Sequence, residues 1–184
     1  MKNLRILAIA MISIVSLNSC SKDDNKAVNE EEVITTVTTT LTGGGQTITL
    51  RSRDLDGDGP NAPVVTVSGS LTAGTNYTGS VSFLNEIANP VSNITTEVLT
   101  EGVDHQLFFQ APIALGTFAY SDTDANGKPI GLQFTLTTGV ATTGNLLVTL
   151  RHEPNKSGVG VSSGDITNAA GATDAAVTYP IVVQ

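Results

Sequence analysis

Two loops of the sequence alternate acidic residues and then reach a glycine. The first loop contributes Asp54, Asp56 and Asp58, and the second contributes Asp122, Asp124 and Asn126. Alternate side-chain oxygens in a tight turn converge on one point, and the glycine allows the chain to wrap around a hard cation. The spacing therefore predicts that each loop binds calcium.

Both loops resemble the first half of the calcium loops of EF-hand and dockerin proteins. The twelfth position, where those loops carry a bidentate Glu, holds Val65 in the first loop and Gln133 in the second. The resemblance therefore implies a calcium site that is weak or that borrows ligands from elsewhere, in the range of about 10⁻⁴–10⁻³ M that extracellular modules use. The alternative is that Asp, Asn and Gly form ordinary hairpin turns here.

The two histidines are the other candidate ligands. His105 begins one predicted strand and His152 ends another. If every connection between strands is a simple reversal, counting strands places both histidines at one end of the fold, together with Asp122 and Asp124. Two imidazoles with a carboxylate suit Zn²⁺ or Cu²⁺. The sequence therefore predicts a transition-metal site as an alternative to calcium.

Two other interpretations of the histidines stay open. Segment 110–116 could be a bulge rather than a reversal, which would invert the direction of every later strand and separate the two residues. A histidine at the end of a strand can also be a solvated polar residue with no ligand.

No set of catalytic residues stands out. The acidic residues of the predicted domain are scattered, so no general base can be placed within about 3 Å of a proton that it would move. The glycines of segment 158–164 lack both the spacing and the strand–turn–helix context of a dinucleotide site. The sequence therefore favours a non-catalytic binding protein.

The N-terminus has the features of an export signal. Lys2 and Arg5 precede an apolar run at 6–17, which is too short to span a bilayer and long enough for the hydrophobic region of a signal peptide. A small residue directly before Cys20 resembles the lipobox of bacterial lipoproteins. The resemblance implies that residues 1–19 are removed and that Cys20 is acylated, which anchors the chain in a membrane. The alternative is an ordinary signal peptide followed by an incidental thiol.

Residues 20–32 are polar and charged, which predicts a disordered tether. Within it, Lys22, Asp23 and Asp24 resemble the signal that sends lipoproteins of some Gram-negative bacteria to the outer face of the outer membrane. The alternative interpretation is that these residues form only a solvated spacer.

The elements that position these residues are predicted to be strands. Apolar and β-branched residues alternate with period two from residue 33 onward, in short runs separated by Gly, Pro, Asn and Asp. About ten such runs, among them one around Ile94 and Val98, predict an all-β domain over 33–184, built as an antiparallel sandwich or barrel.

One local motif narrows this class. Leu71, Gly74 and Tyr77 precede an alternating apolar run, and they resemble the tyrosine corner of fibronectin type III and immunoglobulin-like domains. The resemblance implies a single immunoglobulin-like β-sandwich in which the tyrosine hydroxyl bonds back to the corner backbone. The core Trp of that family is absent, because the chain contains no Trp.

Composition limits the possible partners. With 9 basic and 17 acidic residues the chain carries a net charge of −8, which disfavours DNA and RNA. The overall plan resembles small outer-membrane lipoproteins of Bacteroidota. We therefore expect a lipid-anchored sandwich that faces the cell surface and presents its loops to a ligand or to a partner such as an uptake receptor. The alternatives are an orientation toward the periplasm and a divalent-cation-binding protein.

Overall fold

The computed structural model describes residues 32–57 and 59–184, which form nine strands in two antiparallel sheets. The strands are β1 (Thr36–Gly43), β2 (Gln46–Arg53), β3 (Val64–Val67), β4 (Asn76–Leu84), β5 (His105–Gln110), β6 (Gly116–Tyr120), β7 (Gln133–Thr138), β8 (Thr142–His152) and β9 (Ala172–Val183). One sheet has the order β3-β2-β1-β4-β7-β6, and the other has the order β5-β8-β9. The predicted leader, Cys20, the export signal at 22–24 and Asp58 lie outside the described residues.

Strand alternation forms the core as the sequence predicted. In β4, Tyr77, Gly79, Val81 and Phe83 are buried, and the residues that alternate with them are exposed or half-buried. In β7 the buried positions are Phe134, Leu136 and Thr138. Because side chains alternate between the two faces of a strand, each sheet turns one apolar face inward. The prediction of antiparallel sheets is therefore confirmed, in a domain that is mostly β and has nine strands and a short helix among the described residues.

A hydrogen bond joins the two sheets through the core. The hydroxyl of Tyr179 on β9 donates to the backbone oxygen of Val37 on β1 at 3.0 Å. The Tyr179 side chain is fully buried, so this bond satisfies a hydroxyl that would otherwise be costly to bury.

The predicted strand around Ile94 and Val98 is wrong. Residues Ile94–Thr100 form the helix α1, which packs against β4. Ile94 and Val98 are both buried, and four residues apart is one turn of a helix. Two apolar residues at this spacing fit both a strand and a helix. In a segment of only seven residues, the apolar period therefore does not distinguish the two. No helix of the described residues is long and apolar enough to cross a bilayer.

The long segment between β8 and β9 covers the outer face of β5. Phe108 packs there against Val161 and Ala169 in a small buried cluster. The side-chain amide of Gln106 donates to the backbone oxygen of Val161 at 2.8 Å. Since Leu107 faces the core between the sheets, β5 is buried on both of its faces.

The corner before β4 is closed by a tyrosine. The hydroxyl of Tyr77 accepts hydrogen bonds from the backbone N–H of Thr72 at 2.9 Å and from the side-chain amide of Gln46 at 2.8 Å. Gly74 has a φ of +61° in this corner, a conformation that favours glycine. Leu71, the third residue of the predicted corner, is buried.

Candidate metal centre

The two histidines lie side by side at one end of the three-stranded sheet. His105 is the first residue of β5 and His152 is the last residue of β8, and the register pairs them directly. Directly opposed residues on neighbouring strands share a face, so their side chains meet. The ring centroids are 4.7 Å apart, and the His105 side chain is completely buried.

A backbone carbonyl determines which nitrogen of His105 is available. Nδ1 of His105 lies 3.1 Å from the backbone oxygen of Glu101. A carbonyl oxygen only accepts hydrogen bonds, so Nδ1 carries the proton, and in the neutral ring Nε2 has a free lone pair. This is the arrangement in which a metal-binding histidine usually donates its second nitrogen to a backbone oxygen or carboxylate.

The free nitrogen of His105 faces two carboxylates. Nε2 lies 3.5 Å from Oε1 of Glu32 and 3.6 Å from Oδ2 of Asp174. Both distances exceed those of a normal hydrogen bond, and Nε2 has no hydrogen-bond partner among the described residues. A lone pair that faces negative oxygens needs a positive group to stabilise it.

A β-bulge brings Asp174 to this position. Leu150 pairs with Ala175 but Arg151 pairs with Thr173, so Asp174 is the extra residue on β9. Bulges bend a strand and redirect a side chain. The carboxylate consequently spans both rings, because its Oδ1 lies 3.7 Å from Nδ1 of His152.

Three carboxylates of the described residues lie beside the histidines, those of Glu32, Glu101 and Asp174. Burial, and after it the negative charges of Asp174, Glu97 and Glu101, raises the pKa of Glu32 to about 7. Burial lowers the pKa of His105, which disfavours the imidazolium form. A glutamate that ionises with difficulty beside a histidine that protonates with difficulty forms a site that a divalent cation would stabilise.

The distances between the donor atoms suit a single metal ion. The ligand atoms form two overlapping groups, and within each group they all lie within 4.8 Å of one another. One group contains His105, His152 and Asp174, and the other contains Glu32, Glu101 and His105. Two ligands about 2.0–2.1 Å from a tetrahedral Zn²⁺ lie about 3.3 Å apart. The separations of 3.5 to 3.7 Å between the histidine nitrogens and the carboxylate oxygens are within a few tenths of an ångström of this value.

The loop of Asp122, Asp124 and Asn126 lies at the same end of the fold but outside these two groups. Asp122 accepts hydrogen bonds from the backbone N–H groups of Gly131 and Gln133, at 2.7 and 2.9 Å. The expectation that Asp122 and Asp124 would join the histidines is wrong for the described residues, since the carboxylates beside the rings are others.

A buried lysine holds Asp124. Nζ of Lys156 donates to Oδ2 of Asp124 at 2.9 Å, to the backbone oxygen of Pro129 at 3.0 Å, and to the backbone oxygen of Gly102. Burial acts to raise the pKa of Asp124, and the hydrogen bonds from Lys156 and the loop backbone outweigh it and lower that pKa. Lys156, in the connection between β8 and β9, therefore binds both the connection between β6 and β7 and the segment that precedes β5.

In the same loop, the backbone N–H of exposed Asn126 donates to Oδ1 of Asp124 at 2.8 Å. The oxygens of this loop therefore have donors from the chain itself, and calcium binding here stays a prediction.

The first acidic loop is also closed by its own donors. Oδ1 of Asp54 accepts from the backbone N–H groups of Asp56 and Gly57, at 3.2 and 3.0 Å. Oδ2 of Asp56 accepts from the side-chain amide of Asn61 at 2.7 Å. These contacts are those of an Asx turn, and calcium binding at this loop likewise stays a prediction.

Sequence reasoning missed three carboxylates of the centre. The sequence places Glu32 in the predicted tether at 20–32, and Asp174 and Glu101 belong to no predicted motif. Neither a strand pattern nor a motif marks them, because each reaches the histidines only through the tertiary fold.

Comparisons with known protein families, with curated protein sequences and with solved structures found no significant match. The functional assignment of this chain accordingly depends on the geometry of the centre.

Proposed function

We propose that this protein binds one divalent transition-metal ion, Zn²⁺ or Cu²⁺, through His105, His152 and Asp174. The observation that carries the proposal is the fully buried Nε2 of His105, which faces carboxylate oxygens at 3.5 and 3.6 Å without a hydrogen bond among the described residues. Burial makes a proton on this nitrogen unfavourable. A divalent cation bonds to the lone pair and neutralises the carboxylates at the same time.

The donor set favours this class of metal. Two imidazole nitrogens with a carboxylate are borderline ligands that suit Zn²⁺ and Cu²⁺, whereas Ca²⁺ takes six to eight oxygens. The Nδ1 hydrogen bond of His105 to the Glu101 backbone orients its ring before metal arrives. We assign binding and not a reaction to this centre.

We further propose that a lipid on Cys20 holds the domain at the outer membrane and that the topology is immunoglobulin-like. The orders β1-β4-β7-β6 and β5-β8-β9 correspond to A-B-E-D and C-F-G of immunoglobulin constant domains, with β2 and β3 added beside the first strand. The hydroxyl contact of Tyr77 supports this relation, although the corner here precedes the second of these strands and not strand F. Mass spectrometry of the mature N-terminus would test the lipid.

Calorimetric titration of the untagged protein with Zn²⁺, Cu²⁺ and Ca²⁺ tests the metal proposal. We expect one equivalent of Zn²⁺ or Cu²⁺ to bind and to raise the melting temperature, since a ligand at a hundred times its Kd stabilises the folded state by about 2.7 kcal/mol. His105→Gln should abolish this binding, whereas Asp104→Asn, on an exposed neighbour, should leave it unchanged.

Absence of heat and an unchanged melting temperature with both transition metals would refute the proposal. Binding of Ca²⁺ that is lost in Asp54→Asn or Asp122→Asn but kept in His105→Gln would favour the calcium alternative instead.

A further inference from the structure

The chain is attached to the six-stranded sheet from Thr35 onward. The backbone N–H of Thr35 donates to the backbone oxygen of Leu84 at 2.9 Å, and its hydroxyl donates to the same oxygen at 3.1 Å. The Thr35 hydroxyl also accepts from the backbone N–H of Glu86 at 2.8 Å. These bonds hold the entry to β1 independently of the metal centre.

Glu32, three residues earlier, meets the other sheet instead. Its Oε1 lies 3.5 Å from Nε2 of His105 on β5, and its side chain is only 9 % exposed. Its Oε2 is buried without a hydrogen-bond partner among the described residues. A carboxylate in this position costs free energy unless a cation compensates it.

The geometry points to Glu32 as a further ligand of the proposed metal, so that metal binding fastens segment 32–35 to the three-stranded sheet. This inference rests on the proposed function, because it requires a metal at His105. The histidines and Asp174 belong to β5, β8 and β9, whereas Glu32 leads into β1. The metal is therefore a clamp between the two sheets at the point where the chain enters the domain.

The clamp has a consequence for anchoring. Cys20 precedes Glu32 by twelve residues in the sequence. With metal bound, the chain is fixed to the domain at Glu32, and without metal its first backbone hydrogen bond among the described residues is that of Thr35. Three residues span about 10 Å when extended. Metal occupancy therefore changes the residue at which the chain that follows Cys20 is first fixed to the domain.

Hydrogen–deuterium exchange of the mature protein with and without Zn²⁺ tests the clamp. We expect Zn²⁺ to slow exchange at the amide of Thr35 by about ten-fold or more, because its hydrogen bond to Leu84 opens through local fraying of the segment that the clamp would fasten. In Glu32→Gln this protection should disappear, and Zn²⁺ affinity should fall by about ten-fold, which is about 1.4 kcal/mol. Asp104→Asn, at an exposed acid outside both ligand groups, should behave as wild type.

The outcomes separate the clamp from the site itself. Stoichiometric Zn²⁺ binding without protection of segment 32–35 would overturn the clamp and leave the proposed function intact. A loss of affinity in Glu101→Gln but not in Glu32→Gln would also overturn it, since Glu101 would then be the additional ligand. Absence of Zn²⁺ binding to the wild-type protein would overturn both proposals.

Discussion

His105 and His152 lie directly opposite each other on β5 and β8, with their ring centroids 4.7 Å apart. Burial, together with the adjacent ring of His152, lowers the pKa of His105. His105 therefore favours the neutral imidazole, whose Nε2 carries a free lone pair. Neutral imidazole is the form that binds metals.

Replacing Asp174 with Asn should weaken Zn²⁺ binding. The carboxylate lies between both rings, at 3.6 and 3.7 Å from their nitrogens, and the amide would remove its negative charge with little change of shape. We expect a loss of about 10- to 100-fold in affinity, measured by competition with a chelating dye. Asp104→Asn is the control, and equal affinities of the two variants would contradict a ligand role for Asp174.

Lys156→Met should destabilise the domain by about 3 kcal/mol. Its loss would leave the nearly buried carboxylate of Asp124 without its cation, and breaking one side of a buried pair costs about 3–5 kcal/mol. Urea denaturation would measure this free energy. The double variant Lys156→Met with Asp124→Asn should recover part of it, and strictly additive effects would show that the pair is not coupled.

Gly79→Ala should also destabilise the protein. Gly79 pairs with Phe134 across β4 and β7, and a Cβ at this position would overlap with the Phe134 ring. Overpacking of a core typically costs about 1–3 kcal/mol. Phe134→Leu should lower the free energy of unfolding less in the Gly79→Ala background than in the wild type, because the smaller side chain relieves the overlap. Equal costs in the two backgrounds would argue against this contact.

Stability at acid pH should depend on Glu86. Hydrogen bonds from Arg53, and then from Thr36 and Arg51, lower the pKa of Glu86 to about 2. The folded-state pKa is below the unfolded value of 4.5, so the stabilisation is present above pH 4.5 and is lost as the pH falls toward 2.

Urea midpoints of wild type and Glu86→Gln at pH 7, 4 and 2.5 check this dependence. The difference between the two proteins should be largest at pH 7 and should shrink toward pH 2.5. A difference that stays constant with pH would show that the charge of Glu86 does not contribute.

The sequence was sufficient for the class of fold because the signal is local. In β7, Phe134 and Leu136 alternate with exposed residues, and the two-residue period of a strand makes such alternation readable without any contact information. The same reasoning failed at Ile94–Thr100, where packing against β4 and not the short apolar pattern selects the helix.

For the candidate centre, the sequence identified the two histidines and predicted their common end of the fold on the assumption that every connection is a reversal. Only the tertiary structure decided which carboxylates join them. Asp174 reaches the rings through a bulge that shifts the register of β9, and Glu32 reaches them from a segment that leads into the other sheet. Register shifts and contacts between sheets depend on the packing of distant residues, so no local pattern of residue types encodes them.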